Sequence, residues 1–381
     1  MIMNKKILYI RNYPTVVNPN MYNLQEVGLG KSLVKLGNSC DIIYYSTKYK
    51  FRKETVFEYQ GNKLNIIWVK GFRLHYFGIY PKLLKKKFLS KYDFVITTEY
   101  SQIMTYLLSF ICANKLILYH GPYEEGRREK YLIKLYDFFF LKRIINNLYR
   151  VFAKSKLAEE YLIKKGFKDV KTLGVGLDVT KFTPNQISNE AKDLKSKLDI
   201  IGDKKKLLYI GKLEDRRNIK FLIYLFKEIV DKDNDIRLIV VGNGEQNEVN
   251  NYFDYANKLG IREQIIYFKS VQQTNLSILY KAADLFILPT KYEIFGMVIL
   301  ESMYFGLPVV TSYNGGAVTV IKNGSNGIIV NNFDYKLWVE KILYYIKNRY
   351  LLNDMSYKAK ELIHKEFIWD YIAENFSSSI L

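Results

Sequence analysis

At 381 residues the chain exceeds what one hydrophobic core usually serves, so two domains of roughly 150–200 residues are expected. With 49% hydrophobic and 25% charged residues, 7 prolines and no low-complexity tract, the composition is that of a globular protein rather than a disordered or fibrous one. The formal charge of +20 is uneven: residues 1–200 hold 35 of the 58 Lys and Arg but 17 of the 38 Asp and Glu, a net +18. That half is expected to face an anionic partner (acidic lipid, polyprenyl phosphate, acidic glycan or nucleic acid), unless the excess reflects a Lys-, Asn-, Ile- and Tyr-rich coding bias. Cys40 and Cys112 have no metal or C-x-x-C spacing and point to a reducing compartment. Met1–Ile10 is too short an apolar run for a signal peptide and no 18-residue apolar stretch exists, so the expected location is cytoplasmic, at most peripheral on the inner face of the plasma membrane.

The two halves open alike, with Lys5-Lys6-Ile7-Leu8-Tyr9-Ile10 nearly copied at Lys205-Lys206-Leu207-Leu208-Tyr209-Ile210. Each reads as a buried parallel strand introduced by charge. After the first comes a Pro- and Asn-rich loop, a helix from about Leu24 to Leu36 stopped by Gly37, and a strand Asp41–Tyr45. Within that helix Gly28-Leu29-Gly30-Lys31-Ser32 imitates the end of a P-loop, but Gln25 stands where the first glycine is required, and the P-loop reading is rejected. Pro81–Lys91 interleaves basic and apolar residues, which as a helix suits either a membrane interface or an ordinary charged solvent face. Phe94–Thr98 and Leu116–Tyr119 read as strands, the second ending at His120-Gly121-Pro122. His120 is one of 3 histidines, with His75 and His364, and a lone histidine is commonly structural. Glu124 and Glu125 beyond it fit a solvated loop. Pro184, in the polar segment Thr183–Lys206, marks the expected boundary between domains 1–184 and 185–366.

In the second half, strand Leu207–Ile210 leads to Gly211-Lys212-Leu213-Glu214-Asp215-Arg216-Arg217-Asn218, and Leu238–Val241 runs into the turn Gly242-Asn243-Gly244. Ile265–Val271 is the next strand, with Ser270 and Val271 at its end. Ala283–Leu288 is a buried strand stopped by Pro289, followed by a polar turn, Gly296, a helix Met297–Phe305 closed by Gly306, and the strand Pro308–Thr311. Strand, turn and helix in that order place ligands at strand ends. Glu293 falls in the turn and Glu301 inside the helix, its side chain leaning toward the N-terminus. Between them lie free first-turn amides and the positive end of the helix dipole, with Gly296 leaving room for a phosphate group. On spacing alone, a solvated loop glutamate and a helix glutamate with a local partner stand beside this ligand-binding reading.

Glu293 and Glu301 match the E-x7-E motif, and the text from Glu293-Ile294-Phe295-Gly296 through Gly306-Leu307-Pro308 to Asn314-Gly315-Gly316 and Asn326-Gly327 resembles the donor site of the retaining GT-B glycosyltransferases of family 4. The resemblance covers nearly the whole chain and is closer over residues 205–330 than over 1–120. It implies an α/β GT-B fold: two Rossmann-like domains with parallel sheets facing across a cleft, and a C-terminal segment, 367–381, crossing back to the first domain. It implies sugar transfer from a nucleoside-diphosphate sugar, with UDP taken from family frequency, to a glycan or polyprenyl-diphosphate-linked acceptor, with retention of configuration. No metal or other cofactor is implied: Lys212, Arg217 and the helix start at Gly296 would meet the leaving diphosphate. Glu293 would hold sugar hydroxyls and Glu301 the ribose. Gly211, Gly242, Gly244, Ser270, Val271, Ile294, Phe295, Gly296 and Met297 would line the donor, and His120 would approach the reacting sugar. Departures are Lys212 and Arg217 at the family's Arg and Lys positions, Asn218 and Ser270 for glycine, Thr319 for glutamate, and no glycine pair in Asn18–Asn23. Asp178 would brace the interdomain linker. A GT-B nucleotide-sugar epimerase and, in another class, a basic nucleic-acid-binding protein remain as alternatives. For the second no RNP-like, zinc or helix-turn-helix signature is present, and nucleic acid is not expected as a partner.

Overall fold

Lys6–Ile10 (β1) is apolar on both sides because it lies inside a sheet with a parallel strand on each flank. A computed structural model describes residues 4–19, 24–74, 76–125, 130–182 and 188–380. The chain divides into one unit of residues 1–178 with 367–381 and another of residues 179–366. Residues 20–23 of the Asn-rich loop, His75, and Pro184 with the expected boundary lie outside the described residues.

The first unit adds Ser39–Ser46 (β2), Phe51–Tyr59 (β3), Asn62–Lys70 (β4), a small hairpin Phe72–Leu74 (β5) and Phe77–Ile79 (β6), Phe94–Thr98 (β7), Leu116–His120 (β8), Arg150–Ala153 (β9) and Val170–Thr172 (β10). The main sheet has the order β10-β9-β8-β7-β1-β2-β4-β3, parallel except for β3, an exposed edge strand antiparallel to β4. The chain runs outward from β1 in both directions, so the switch point lies between β1 and β7.

The second unit repeats this plan with Lys205–Ile210 (β11), Ile236–Val241 (β12), Ile265–Phe268 (β13), Leu285–Leu288 (β14), Val309–Ser312 (β15) and Ile328–Val330 (β16). Its order is β13-β12-β11-β14-β15-β16, with every pairing parallel. The near-copied segments therefore form equivalent strands, β1 and β11, each beside its sheet's switch point.

Helix Trp369–Ser379 packs on helix Gln25–Lys35 of the first unit. Gly28 makes the approach possible: a Cβ there would lie 2.1 Å from Trp369 Nε1. Ser32 Oγ donates to Asp370 Oδ1 at 2.5 Å. The P-loop-like run is thus the helical seat of the tail. Asp178 pairs with Lys31 at 3.3 Å.

Pro81–Lys91 is not one amphipathic helix. Pro81–Leu84 forms a tight turn, Lys85 is extended, and Lys86–Leu89 forms a single helical turn. Leu83 and Leu89 are buried and Leu84 and Phe88 pack against the same core, so the apolar side chains expected to meet a membrane are used internally. Lys82, Lys85, Lys86, Lys87 and Lys91 are exposed. Among the described residues no helix is long and apolar enough to cross a membrane.

Candidate functional site

In the second unit the candidate residues gather at the carboxyl ends of β11 to β15. The loop after β11 is pinned by the Tyr209 hydroxyl, which donates to Lys212 O at 2.9 Å. Gly242 and Gly244 follow β12 because the two loops pass in backbone contact: a Cβ on Gly242 would lie 1.8 Å from Gly211 O, and one on Gly244 2.1 Å from Leu213 O. Leu213 N–H donates to Asn243 O at 2.8 Å across the same gap. Asn218 begins the next helix at φ 60°, a left-handed geometry asparagine tolerates. Ser270 is exposed and Val271 half-buried in the loop after β13.

The loop after β14 is tied to the loop after β11 across the switch point. Lys291 N–H donates to Arg216 O at 2.9 Å, and Arg216 Nη1 donates to Tyr292 O at 2.9 Å. Arg217 Nη1 donates to Glu293 Oε2, and both side chains are mostly buried. The cation expected to face a diphosphate and the carboxylate expected to hold a sugar therefore form one ion pair. Lys212 is exposed.

Helix Met297–Tyr304 begins at Gly296, whose φ of 75° turns the chain into it and which has no side chain to cap the first-turn amides. Ile294 and Met297 are half-buried beside it, while Phe295 is buried. Gly316 completes the arrangement: any Cβ would fall 1.4 Å from Phe295 O, so this stretch crosses the Asn314-capped helix Gly315–Val320 only over glycine.

Glu301 is the carboxylate expected to hold the ribose. It is fully buried and accepts from the Tyr280 hydroxyl at 2.8 Å. Burial pushes its pKa up to about 8, so the protonated acid prevails at neutral pH. Helix geometry did turn the side chain inward, but Leu276–Ala282, the helix bearing Tyr280, packs beside it, which spacing could not foretell.

The first unit brings a second group together at the ends of β7, β8 and β9. His120 is the last residue of β8, 1% exposed, with Nδ1 2.7 Å from Glu99 Oε2. Lys154 Nζ lies 3.9 Å from Glu99 Oε1, and Gly121 N–H donates to Oε2 at 3.1 Å. Burial raises the Glu99 pKa, but His120, Lys154 and the Gly121 amide outweigh it and hold the carboxyl below its ordinary value. Glu99 holds a φ of 60°, rare for a side-chain-bearing residue. Sequence reasoning missed it. A glutamate one residue past a predicted strand was the available signal.

His120 lines a cavity of about 450 Å³ with aromatic walls. Tyr100 and Tyr161 flank its ring at 5.3 and 5.9 Å. His120 Nε2 and Gln102 Oε1, both on buried side chains lining the cavity, have no hydrogen-bond partner among the described residues. Such a pocket suits a ligand with apolar surface and a few hydroxyl groups. Glu124 is exposed at the rim, and Glu125 is bound to Lys165 at 2.5 Å. Among the described residues no group of three or more His, Cys, Asp or Glu side chains could hold a metal ion.

Residues 190–362 match the family described as glycosyl transferases group 1. An uncharacterized glycosyltransferase of Methanocaldococcus jannaschii is 31% identical over 209 residues, 54% of this chain and 52% of its own. The capsular polysaccharide biosynthesis glycosyltransferase CapM of Staphylococcus aureus is 29% identical over 170 residues, 45% and 44%. The chain spans about half the length of the curated relatives it matches. The structure of Anabaena HepE in complex with UDP superposes with a TM-score of 0.76 at 15% identity, covering 98% of this chain and 99% of that one, which makes the fold GT-B.

Proposed function

We propose that the protein, whose residues 190–362 match the glycosyl transferases group 1 family, moves a sugar from a nucleoside-diphosphate sugar, UDP-linked first, to a glycan or lipid-linked glycan. The observation that carries the reading is the lacing of the β11 and β14 loops, which sets Lys212, the Arg217–Glu293 pair and the uncapped helix start at Gly296 at one sheet end. A leaving diphosphate needs positive charge that is already oriented. Two cationic side chains and first-turn amides supply it without a divalent ion. Glu293 holds the Arg217 guanidinium in place before the donor arrives and offers a carboxylate for sugar hydroxyls. Transfer with retention breaks the bond from the anomeric carbon to the diphosphate and forms the acceptor bond on the same face. The acceptor proton passes to the departing phosphate oxygen.

In the first unit, the cavity of His120 takes the acceptor. Glu99 fixes the imidazole through Nδ1, leaving Nε2 toward a hydroxyl. UDP leads because Anabaena HepE was solved with it, and a surface polysaccharide is the favoured acceptor class because CapM is named for capsule synthesis. The basic first half suits an acceptor carried at an anionic membrane.

The test is a thermal-shift panel of UDP, GDP, ADP and CMP with wild type, Lys212→Ala and Arg217→Ala, followed by product analysis in EDTA. A nucleotide at about 100 times its Kd adds roughly 2.7 kcal/mol, a shift of several degrees. One nucleotide stabilising the wild type and losing its effect in Arg217→Ala is the expected result. No shift with any of them overturns the donor site.

A further inference from the structure

The first unit carries a helix that turns large apolar side chains both inward and outward. Lys130–Tyr136 continues through one wide turn, Asp137–Leu141, into Lys142–Asn146. Inward, Tyr136 and Ile144 are buried in a cluster with Tyr100, and the Phe140 ring packs 4.4 Å from Tyr106. Outward, Tyr131, Leu132, Leu135, Phe138 and Phe139 are 57% to 82% exposed. Phe110, 50% exposed, joins this face beneath the Arg143 guanidinium, 3.4 Å from its ring centre. Single exposed apolar residues are ordinary, but five on adjacent turns of one helix form a patch that water does not favour.

Charge around the patch selects the occupant. Lys134, Lys142 and Arg143 are exposed on it. Asp137, the acid of this helix, is bound to Lys165 at 2.5 Å. Aromatic rings ringed by cations, with the helix's own carboxylate already paired, complement an anionic lipid surface. The patch is also continuous with the candidate acceptor site, since Leu132, Leu135 and Phe139 line the His120 cavity.

We propose that this face of residues 131–143, and not Pro81–Lys91, seats the protein on an anionic lipid bilayer. Tyr131, Leu132, Leu135, Phe138 and Phe139 enter the boundary between headgroups and acyl chains, and the cavity opens there to an acceptor held in the membrane. The acceptor clause rests on the reading above; the docking itself does not.

Full-length protein is floated with phosphatidylglycerol-containing vesicles and with pure phosphatidylcholine vesicles, at low and high salt. Wild type floats with the anionic vesicles, less so at high salt. Phe138→Ser with Phe139→Ser lowers the partition by about tenfold or more, as expected for two rings at the interface. Both positions are exposed, so the melting temperature stays unchanged. The triple change Lys85→Gln, Lys86→Gln, Lys87→Gln floats as wild type. The proposal is overturned if wild type does not float at low salt, or if the phenylalanine pair floats like wild type. It is equally overturned if only the lysine triple loses binding, or if wild type is a dimer that the phenylalanine changes dissociate, with no vesicle binding. A UDP shift read on the same samples separates the two ideas. Its absence beside intact flotation sinks the donor reading and leaves this surface standing.

Discussion

The two parallel sheets end in opposite environments. Beyond β11 and β14 of the second unit, loops pass over glycine in backbone contact, and Lys212 and Arg216 reach solvent. Beyond β7 and β8 of the first unit, Glu99, Gln102 and His120 are buried under tyrosine rings beside a cavity. One end presents first-turn amides and cationic side chains, the complement of a charged, hydrated group. The other suits something partly apolar, with an acid–imidazole pair held ready. The contrast teaches that a shared strand plan leaves chemistry to the residues just past the strand ends.

The sharpest way to break this comparison is at Glu99. Glu99→Ala leaves His120 and Lys154 without their buried partner and should cost about 3–5 kcal/mol of stability by denaturant unfolding. A cost below about 1 kcal/mol would mean the pair does not organise the first unit's strand ends. Next, Arg217→Ala should lower kcat by about 10²–10³-fold, the loss typical of one preorganised stabiliser of developing negative charge. An unchanged rate would detach the Arg217–Glu293 pair from the chemistry.

Glu301 supplies a pH test. Its raised pKa means that the folded form binds a proton the unfolded chain releases between about pH 4.5 and 8. Stability from this group is therefore full below pH 4.5 and declines by up to about 1.4 kcal/mol per pH unit through that window. Glu301→Gln should flatten the decline without nucleotide present. Urea midpoints at pH 5, 6, 7 and 8 check it, and parallel slopes for both proteins would show that Glu301 ionises normally. The smallest effect belongs to Lys212→Ala, expected within about 0.5 kcal/mol of wild type in stability because the side chain is exposed. It should nonetheless weaken nucleotide binding.

How much of this could be read beforehand differs between the units for a physical reason. The second unit's site repeats one readable pattern, most plainly at residues 285–304, in which a strand, a glycine-bearing turn and a helix start follow one another. Gly242, Gly244 and Gly316 are where backbones touch and Gly296 is where the chain takes a positive φ, so the residue type itself discloses the geometry. The first unit's cluster has no such run of glycines: it joins the ends of β7, β8 and β9, and Glu99 has no neighbour that marks it. The same limit explains Pro81–Lys91, where alternating charge and hydrophobicity looked interfacial although Leu83 and Leu89 complete a core. Tyr131–Phe139 carried a readable signal, apolar residues on every side of a helical repeat, but nothing in one sequence says which side faces solvent.

The Trp369 seat has a consequence for synthesis on the ribosome. Gly28 and Gly176 both approach the Trp369 side chain so closely that neither leaves room for a Cβ, and Phe152 lies 5.4 Å from Phe376. The N-terminal half of that packing is made first, and its complement emerges only after all of residues 179–366. A nascent chain stalled before Phe367 would therefore hold all the residues of the second unit beside a first unit with its tail groove open to solvent. Such a chain presents an apolar slot to chaperones and proteases until residues 367–380 are released, so the packing of residues 1–178 is completed only after the intervening unit is made.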